Sequence, residues 1–229
     1  METPTQAGPR PARSEAKTSE VPWTGLVRLD PNDRAQLEAF ADLHEVTLPD
    51  SVPVRFGRRF MTRFYFPKLI ADGLAAGDLF RFEGKWAAFS VYTKIPHSML
   101  REAIRRHFWF LCGFMPTVLL TNPRALLAIP TMLRNQGGFP ELHRTGYFLT
   151  FGVNPEFRGQ QVAGHRISHL LMNRMFDYLR EEGFDAVEAT ADRSNSRAIE
   201  FYHGCGFRIE DRSFGGGAKL QIPYELRPV

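Results

Sequence analysis

The chain has 229 residues, 43% of them hydrophobic and 24% charged, with a formal net charge of +4. That hydrophobic content is ample for a packed core, and the length is large for one domain and small for two. The basic excess suits contact with an anionic ligand but is far too small to argue for nucleic acid, and none is expected as a partner.

Only two cysteines occur, Cys112 and Cys205, with no CxxC pair. They predict no disulfide framework and no metal site, and they place the chain in a reducing cytoplasm. Residues 1–20 are rich in Pro, Ser, Thr, Ala and charge and lack an apolar signal core. They read as a disordered tail ahead of one domain over residues 21–229.

In chain order, "WTGLVRL" (Trp23 to Leu29) predicts a first strand. A helix follows over Asp33 to Leu48, with Leu37, Phe40, Ala41 and His44 at helical spacing. A second helix runs from about Val54 to Asp72, where Phe56, Phe60, Phe64 and Leu69 form a buried stripe. Leu79 to Phe82 and Lys85 to Tyr92 read as a hairpin turning at Glu83-Gly84.

From about residue 96 to 140 the chain is unusually apolar, in runs broken by Pro116, Pro123 and Pro130. Neither "HFWFLCGFMPTVLL" nor "ALLAIPTML" reaches the roughly 20 residues of a membrane span. A helical insert is expected. Arg101, Arg105, Arg106 and His107 precede the first run and Arg124 follows it. Basic residues beside an apolar segment can dock on an anionic membrane surface. The same helices could instead complete the core or a homodimer interface, or form a lid over a hydrophobic acceptor.

"GYFLTFGV" (Gly146 to Val153) predicts the next strand. The following helix is expected from about Gly159 to Glu182, with Ala163, Ile167, Leu170, Leu171, Met175, Phe176 and Leu179 on one face and Gly183 ending it. "FDAVEATA" alternates as a strand, and "SNSRAIEFYHGCGF" reads as a short capped helix ended by Gly204 or Gly206. Strands over Phe207 to Asp211 and about Lys219 to Leu226 close the chain, joined by a turn at "FGGGAK". That stretch is no P-loop, since it lacks the spacer and a Ser or Thr after the lysine. His165 and His169 lie four apart but carry no wider ligand pattern. The element order predicts an α/β fold, a mixed sheet covered by helices on both faces.

"FRGQQVAGHR" (residues 157 to 166) lies between a strand and a long helix. The first amides of a helix lack intrahelical partners and sit at the positive end of its dipole, so a diphosphate fits there. Gly159 allows close backbone approach, and Arg158 adds charge at the edge.

The wider stretch "VNPEFRGQQVAGHRI" resembles the acetyl-CoA-binding motif of the GNAT N-acetyltransferases, Arg/Gln-x-x-Gly-x-Gly/Ala. Arg158 and Ala163 occupy its ends, and Gln161 stands where the family prefers glycine. "NSRAIEFYHGCGF" is similar to a second signature of that family, with Asn195, Ala198, Phe201, Tyr202, Gly206 and Phe207 all matching. The resemblance spans about Tyr147 to Ile209. It implies a mostly antiparallel GNAT sheet and an acetyltransferase that uses acetyl-CoA as co-substrate without a metal.

For the site, the resemblance implies a cofactor surface of Val153, Arg158, Gly159, Gln160, Gln161, Val162, Ala163, Gly164 and Asn195. Tyr202 would be the general acid beside the thioester sulfur. Glu188 and Asp192 could share one face of their strand, and Glu156 lies in the loop. Each reads as solvated or structural, and no base is assigned.

The expected reaction is direct acetyl transfer to a primary amine of a small molecule. A looser similarity in Leu48-Pro49, "FGRRFMTRFY" and the Pro-broken insert is to GNAT proteins encoded among bacterial surface-polysaccharide genes, which implies an amino sugar as acceptor. Two alternatives are a long-chain acyltransferase at the membrane surface and a non-catalytic acyl-CoA-binding module.

Overall fold

The computed structural model describes residues 24–96, 98–123, 125, 144–214 and 219–225, the last two strands by their main chain. The N-terminal tail, the second half of the insert and the middle of "FGGGAK" lie outside the described residues.

A short strand β1 (Leu26–Arg28) leads into α1 (Arg34–Thr47). Asp33 starts that helix because its carboxylate accepts from the amides of Ala35 and Gln36, two donors with no intrahelical partner. The second predicted helix is broken. Gly57, at φ 91° and ψ 165°, separates α2 (Val52–Phe56) from α3 (Arg58–Phe60). From α3 the chain continues through a π-helical turn (Met61–Tyr65) into α4 (Phe66–Ala71). Pro67, which has no amide hydrogen, sits at the junction and cannot close an ordinary α-turn.

The hairpin of β2 (Ala76–Phe82) and β3 (Lys85–Thr93) forms as expected. The insert begins with two helices, α5 (Met99–Arg106) and α6 (Phe108–Thr121), the second containing Pro116. Then comes β4 (Thr145–Val153).

After β4 the chain departs from expectation. The long helix α7 begins at Ile167 and runs to Glu181, eight residues later than Gly159. Between them β5 (Gln161–Val162) and β6 (His165–Arg166) pair as a miniature hairpin. Ala163 and Gly164 form its turn with φ of 49° and 81°. Two successive positive φ values build a tight hairpin turn and cannot belong to a right-handed helix.

β7 (Ala186–Asp192), α8 (Ser196–Gly204), β8 (Glu210–Phe214) and β9 (Lys219–Glu225) complete the chain. The strand predicted from Phe207 starts three residues later. Phe207 is instead 2% exposed, packed against Phe176 and Tyr202.

Among the described residues, seven strands form one sheet in the order β1-β2-β3-β4-β7-β9-β8. Every neighbouring pair is antiparallel except β4 and β7. The period of two along the strands divides the core. On one face Leu79, Phe89 and Val91 meet Phe40, Phe64 and Phe66 of the early helices, and Val118 of α6 joins them. On the other, Tyr92, Phe148, Val187 and Ala189 meet Met172, Met175, Leu179 and Tyr202 of α7 and α8. Arg28, Asp78 and Tyr92 tie β1, β2 and β3 together, with the Tyr92 hydroxyl donating to Asp78 over 2.6 Å.

Candidate functional site

The site begins where two strands stop pairing. β4 contacts β7 only from Thr145 to Phe148, opposite Ala186 to Ala189. Beyond that point β4 stays on β3 as far as Val153, and β7 stays on β9 as far as Asp192. The register shift between Val91 and Tyr92 falls at the same level, and such a bulge increases local twist. Rings of α8 fill the root of the split. Phe201 stacks on Phe151 at 5.4 Å and 4°, and Tyr202 meets Phe148 edge-on at 6.2 Å.

A groove of about 540 Å³ opens between the parted strands. Its walls include Phe148 to Val153 of β4, Thr190 to Asp192 of β7, and Asn195, Ala198 and Tyr202 of α8. Phe157 to Gln160 and Arg166 to Ser168 line it on the side of α7, and Thr47, Leu48 and Ser51 on the side of the early helices.

Of the residues singled out in the sequence, Val153, Arg158, Gly159, Gln160, Asn195 and Tyr202 share this groove. Gln161, Val162, Ala163 and Gly164 are not among its lining residues. They form the small hairpin, and Val162 packs on the core beside Phe157 and Ile167. The groove wall is therefore made by the residues flanking the hairpin.

The anion-facing end has the features a diphosphate requires. A Cβ on Gly159 would meet nothing within 4 Å, and its φ of 84° favours glycine. No side chain caps the first turn of α7, and the Ile167 amide is satisfied by the Gln160 carbonyl. That leaves the following amides, from Ser168 on, to face an anion. Arg158 donates to the Val153 carbonyl over 3.3 Å, which holds its guanidinium at the rim. Along β4 the edge toward β7 has no strand partner beyond Phe148, and the Thr150 hydroxyl is buried without a hydrogen bond. An extended amide-bearing ligand fits such an edge.

At the root, Tyr202 is 8% exposed. Burial, then the neighbouring Tyr147 and Cys205, raise its pKa well above the ordinary phenol value, so it stays protonated. Burial likewise pushes the Cys205 thiol up to about 11, which keeps it un-ionised and a poor nucleophile. Asn195 caps α8 by accepting from the Ala198 amide over 3.1 Å. Tyr147 and Thr190 share a hydrogen bond of 2.8 Å across the two strands.

The carboxylates take structural places. Glu156 pairs with Lys85 at 2.8 Å, Asp192 accepts from the Ser194 amide at 2.9 Å, and Glu188 is buried on β7. Among the described residues, no three His, Cys, Asp or Glu side chains gather as a metal site. His169 stacks on Phe201, while His165 belongs to β6.

The early-helix side of the groove was not read from sequence. His44 is fully buried among Phe40, Phe66 and Phe89, and burial holds its pKa down at about 3. Its Nε2 lies 3.0 Å from the Ser51 hydroxyl, and its Nδ1 has no partner. Ser51 occupies the N-cap position of α2 yet makes no cap bond. Nothing in "LPDS" announces this, because the pairing depends on how α1 packs over β3.

The sequence model of the Acetyltransferase (GNAT) family matches residues 133–207. No curated protein matches the chain. Among solved structures, the fold is similar to PH1933 from Pyrococcus horikoshii OT3, at 15% identity and a TM-score of 0.54 over 89% of this chain and 99% of that one. It is also similar to a putative acetyltransferase of the GNAT family from Desulfovibrio desulfuricans, at 11% identity and a TM-score of 0.53 over 88% and 98%. A third likeness is to the PaiA N-acetyltransferase of Thermoplasma acidophilum in complex with coenzyme A, at 10% identity and a TM-score of 0.51 over 87% and 98%. At these identities the likeness is one of fold.

Proposed function

Because residues 133–207 match the GNAT family model and the fold is that of GNAT acetyltransferases, we propose that the chain is a member of that family and transfers acetyl from acetyl-CoA to a primary amine of a small molecule by direct attack. The observation that carries this reading is the split of β4 from β7, which exposes a strand edge between an open helix N-terminus and a buried tyrosine.

The residues fit that co-substrate. Gly159, Gln160 and the first turn of α7, with Arg158 at the rim, would hold the pyrophosphate. The free edge of β4 from Leu149 to Val153 would receive the pantetheine arm, and the Asn195 amide group would face it. Acetyl-CoA supplies an acyl carbon already activated as a thioester. A main-chain amide of the β4 edge would hydrogen-bond the carbonyl oxygen as charge develops there. As the new C–N bond forms and the C–S bond breaks, the Tyr202 phenol is the proton source for the leaving sulfur. The amine's own proton leaves to solvent, since no groove carboxylate is assigned as base.

The amine would enter on the side of the early helices, where Thr47, Leu48 and Ser51 line the groove. A small amine bearing hydroxyl groups, such as an amino sugar, suits the polar Thr47 and Ser51.

Thermal unfolding with coenzyme A tests the reading directly. A ligand of the folded state at about 100 times its Kd stabilises by roughly 2.7 kcal/mol. Wild type should shift upward, and Gly159→Glu, which places a carboxylate in the anion end, should not. An equal shift in both would remove Gly159 from the site, and no shift in either would leave the groove without its co-substrate.

A further inference from the structure

α6 presents two apolar faces, and the described residues cover only one of them. Leu111, Phe114, Met115 and Val118, at positions i, i+3, i+4 and i+7, turn toward the core of the early helices. Trp109, Cys112, Gly113, Pro116 and Leu120 follow the same spacing on the opposite side and are exposed. Trp109 is 84% and Leu120 85% exposed, with Phe108 at 49% beside them. The Thr121 hydroxyl, one of the few polar groups on the helix, donates to the Thr117 carbonyl of the same helix over 2.8 Å. A surface helix normally turns polar side chains to water, and one that is apolar all round is covered by something.

The charges around it identify the cover. α5 carries Arg101, Arg105 and Arg106 against a single acid, Glu102, and α6 carries no acid at all, so residues 99–121 hold a net +2. Glu102 is shared between Arg105 and Arg106, while Asp72 holds His107 at 2.8 Å. Lys68 adds its ammonium 5.7 Å from the Phe110 ring. Cations therefore rim the aromatic end of an exposed apolar face. At 14 residues α6 is about 21 Å long, too short to cross a bilayer of roughly 30 Å.

We infer that α5 and α6 dock the protein on an anionic lipid surface, with Phe108, Trp109, Pro116 and Leu120 entering the interface and the α5 arginines meeting lipid phosphates. The geometry is that of a helix lying in the membrane plane, with aromatic side chains below and basic ones at headgroup level. The groove and its chemistry play no part in this inference.

Full-length protein is mixed with vesicles of phosphatidylcholine alone or with added phosphatidylglycerol and then sedimented. Binding is expected only with phosphatidylglycerol and should weaken as salt is raised. The triple change Phe108→Ser, Trp109→Ser and Leu120→Ser should weaken it about tenfold or more while leaving the unfolding temperature in place. Arg101→Glu should weaken it about fivefold or more. A polarity-sensitive dye on exposed Cys112 should shift to the blue with the same vesicles.

Absence of vesicle binding, or equal binding by wild type and the triple variant, overturns the inference. Two further readouts then identify the true cover. If the triple change turns a dimer into a monomer by light scattering, the face belongs to a second copy. If Cys112 resists thiol reagents in the native protein, the chain's own residues cover it.

Discussion

The two ends of β4 are built from the same kinds of residue and do opposite things. Tyr147 and Phe148 sit between two bonded neighbours and are nearly inaccessible, whereas Thr150 to Val153 keep β3 on one edge and face the groove on the other. Aromatic and β-branched residues run through both. What differs is the neighbour, because β7 leaves after Ala189 to follow β9. A strand edge withheld from pairing offers main-chain donors and acceptors to a ligand, which in most sheets would be a liability. Here the rings of Phe201 and Tyr202 close the root of the split.

Substitutions at the two ends should separate accordingly. The largest effect is expected at the closed end. Phe148→Ala removes a ring 3% exposed that meets Phe151 and Tyr202, and should destabilise by about 3–5 kcal/mol. Urea unfolding measures it, and a loss below about 1 kcal/mol would show that this end is not a packed core.

Where the root meets the open groove, Tyr202→Phe keeps the ring and its packing and removes only the hydroxyl. Stability should change little, and the rate of acetyl transfer should fall by about a hundredfold, close to 2.7 kcal/mol of transition-state stabilisation. Unchanged turnover would dismiss Tyr202 as the acid and leave it a packing residue.

The smallest expected effect lies behind Ser51, on the early-helix side of the groove. The imidazole of His44 is held neutral by burial, at about 3 against an ordinary value of 6.5. Between those values the unfolded chain binds a proton that the folded one excludes. The stabilisation is thus complete above pH 6.5 and is lost as pH falls toward 3. At about pH 5 the loss should be roughly 2 kcal/mol relative to neutral pH. His44→Phe should remove that slope whatever it does to stability at neutral pH, and a slope that survives would assign the acid sensitivity to another group.

Much of this architecture was legible in the chain. Helical spacing in α1, the Glu83-Gly84 turn, the alternation in β7 and the short capped helix α8 are local signals. They depend on neighbours within a few residues, and all four appear where expected. The two family signatures likewise pointed to one groove, bringing Arg158, Gly159, Asn195 and Tyr202 together.

Other features were decided only in three dimensions. The amphipathic pattern of α7 could not show that its first turn starts at Ile167, because Ala163 and Gly164 take left-handed φ values to close a hairpin instead. The pairing of His44 with Ser51 joins residues whose side chains meet only once α1 lies across β3. The covered and bare faces of α6 are equally apolar in sequence, and the fold decides which one meets the core. The sequence by itself determined most of the elements, their order and the residue types at the motif side of the groove, since these follow from local propensity and periodicity. Where β4 and β7 part, and so where the groove opens, was settled by tertiary structure alone, because a strand's partner is chosen by the whole sheet and not by the strand.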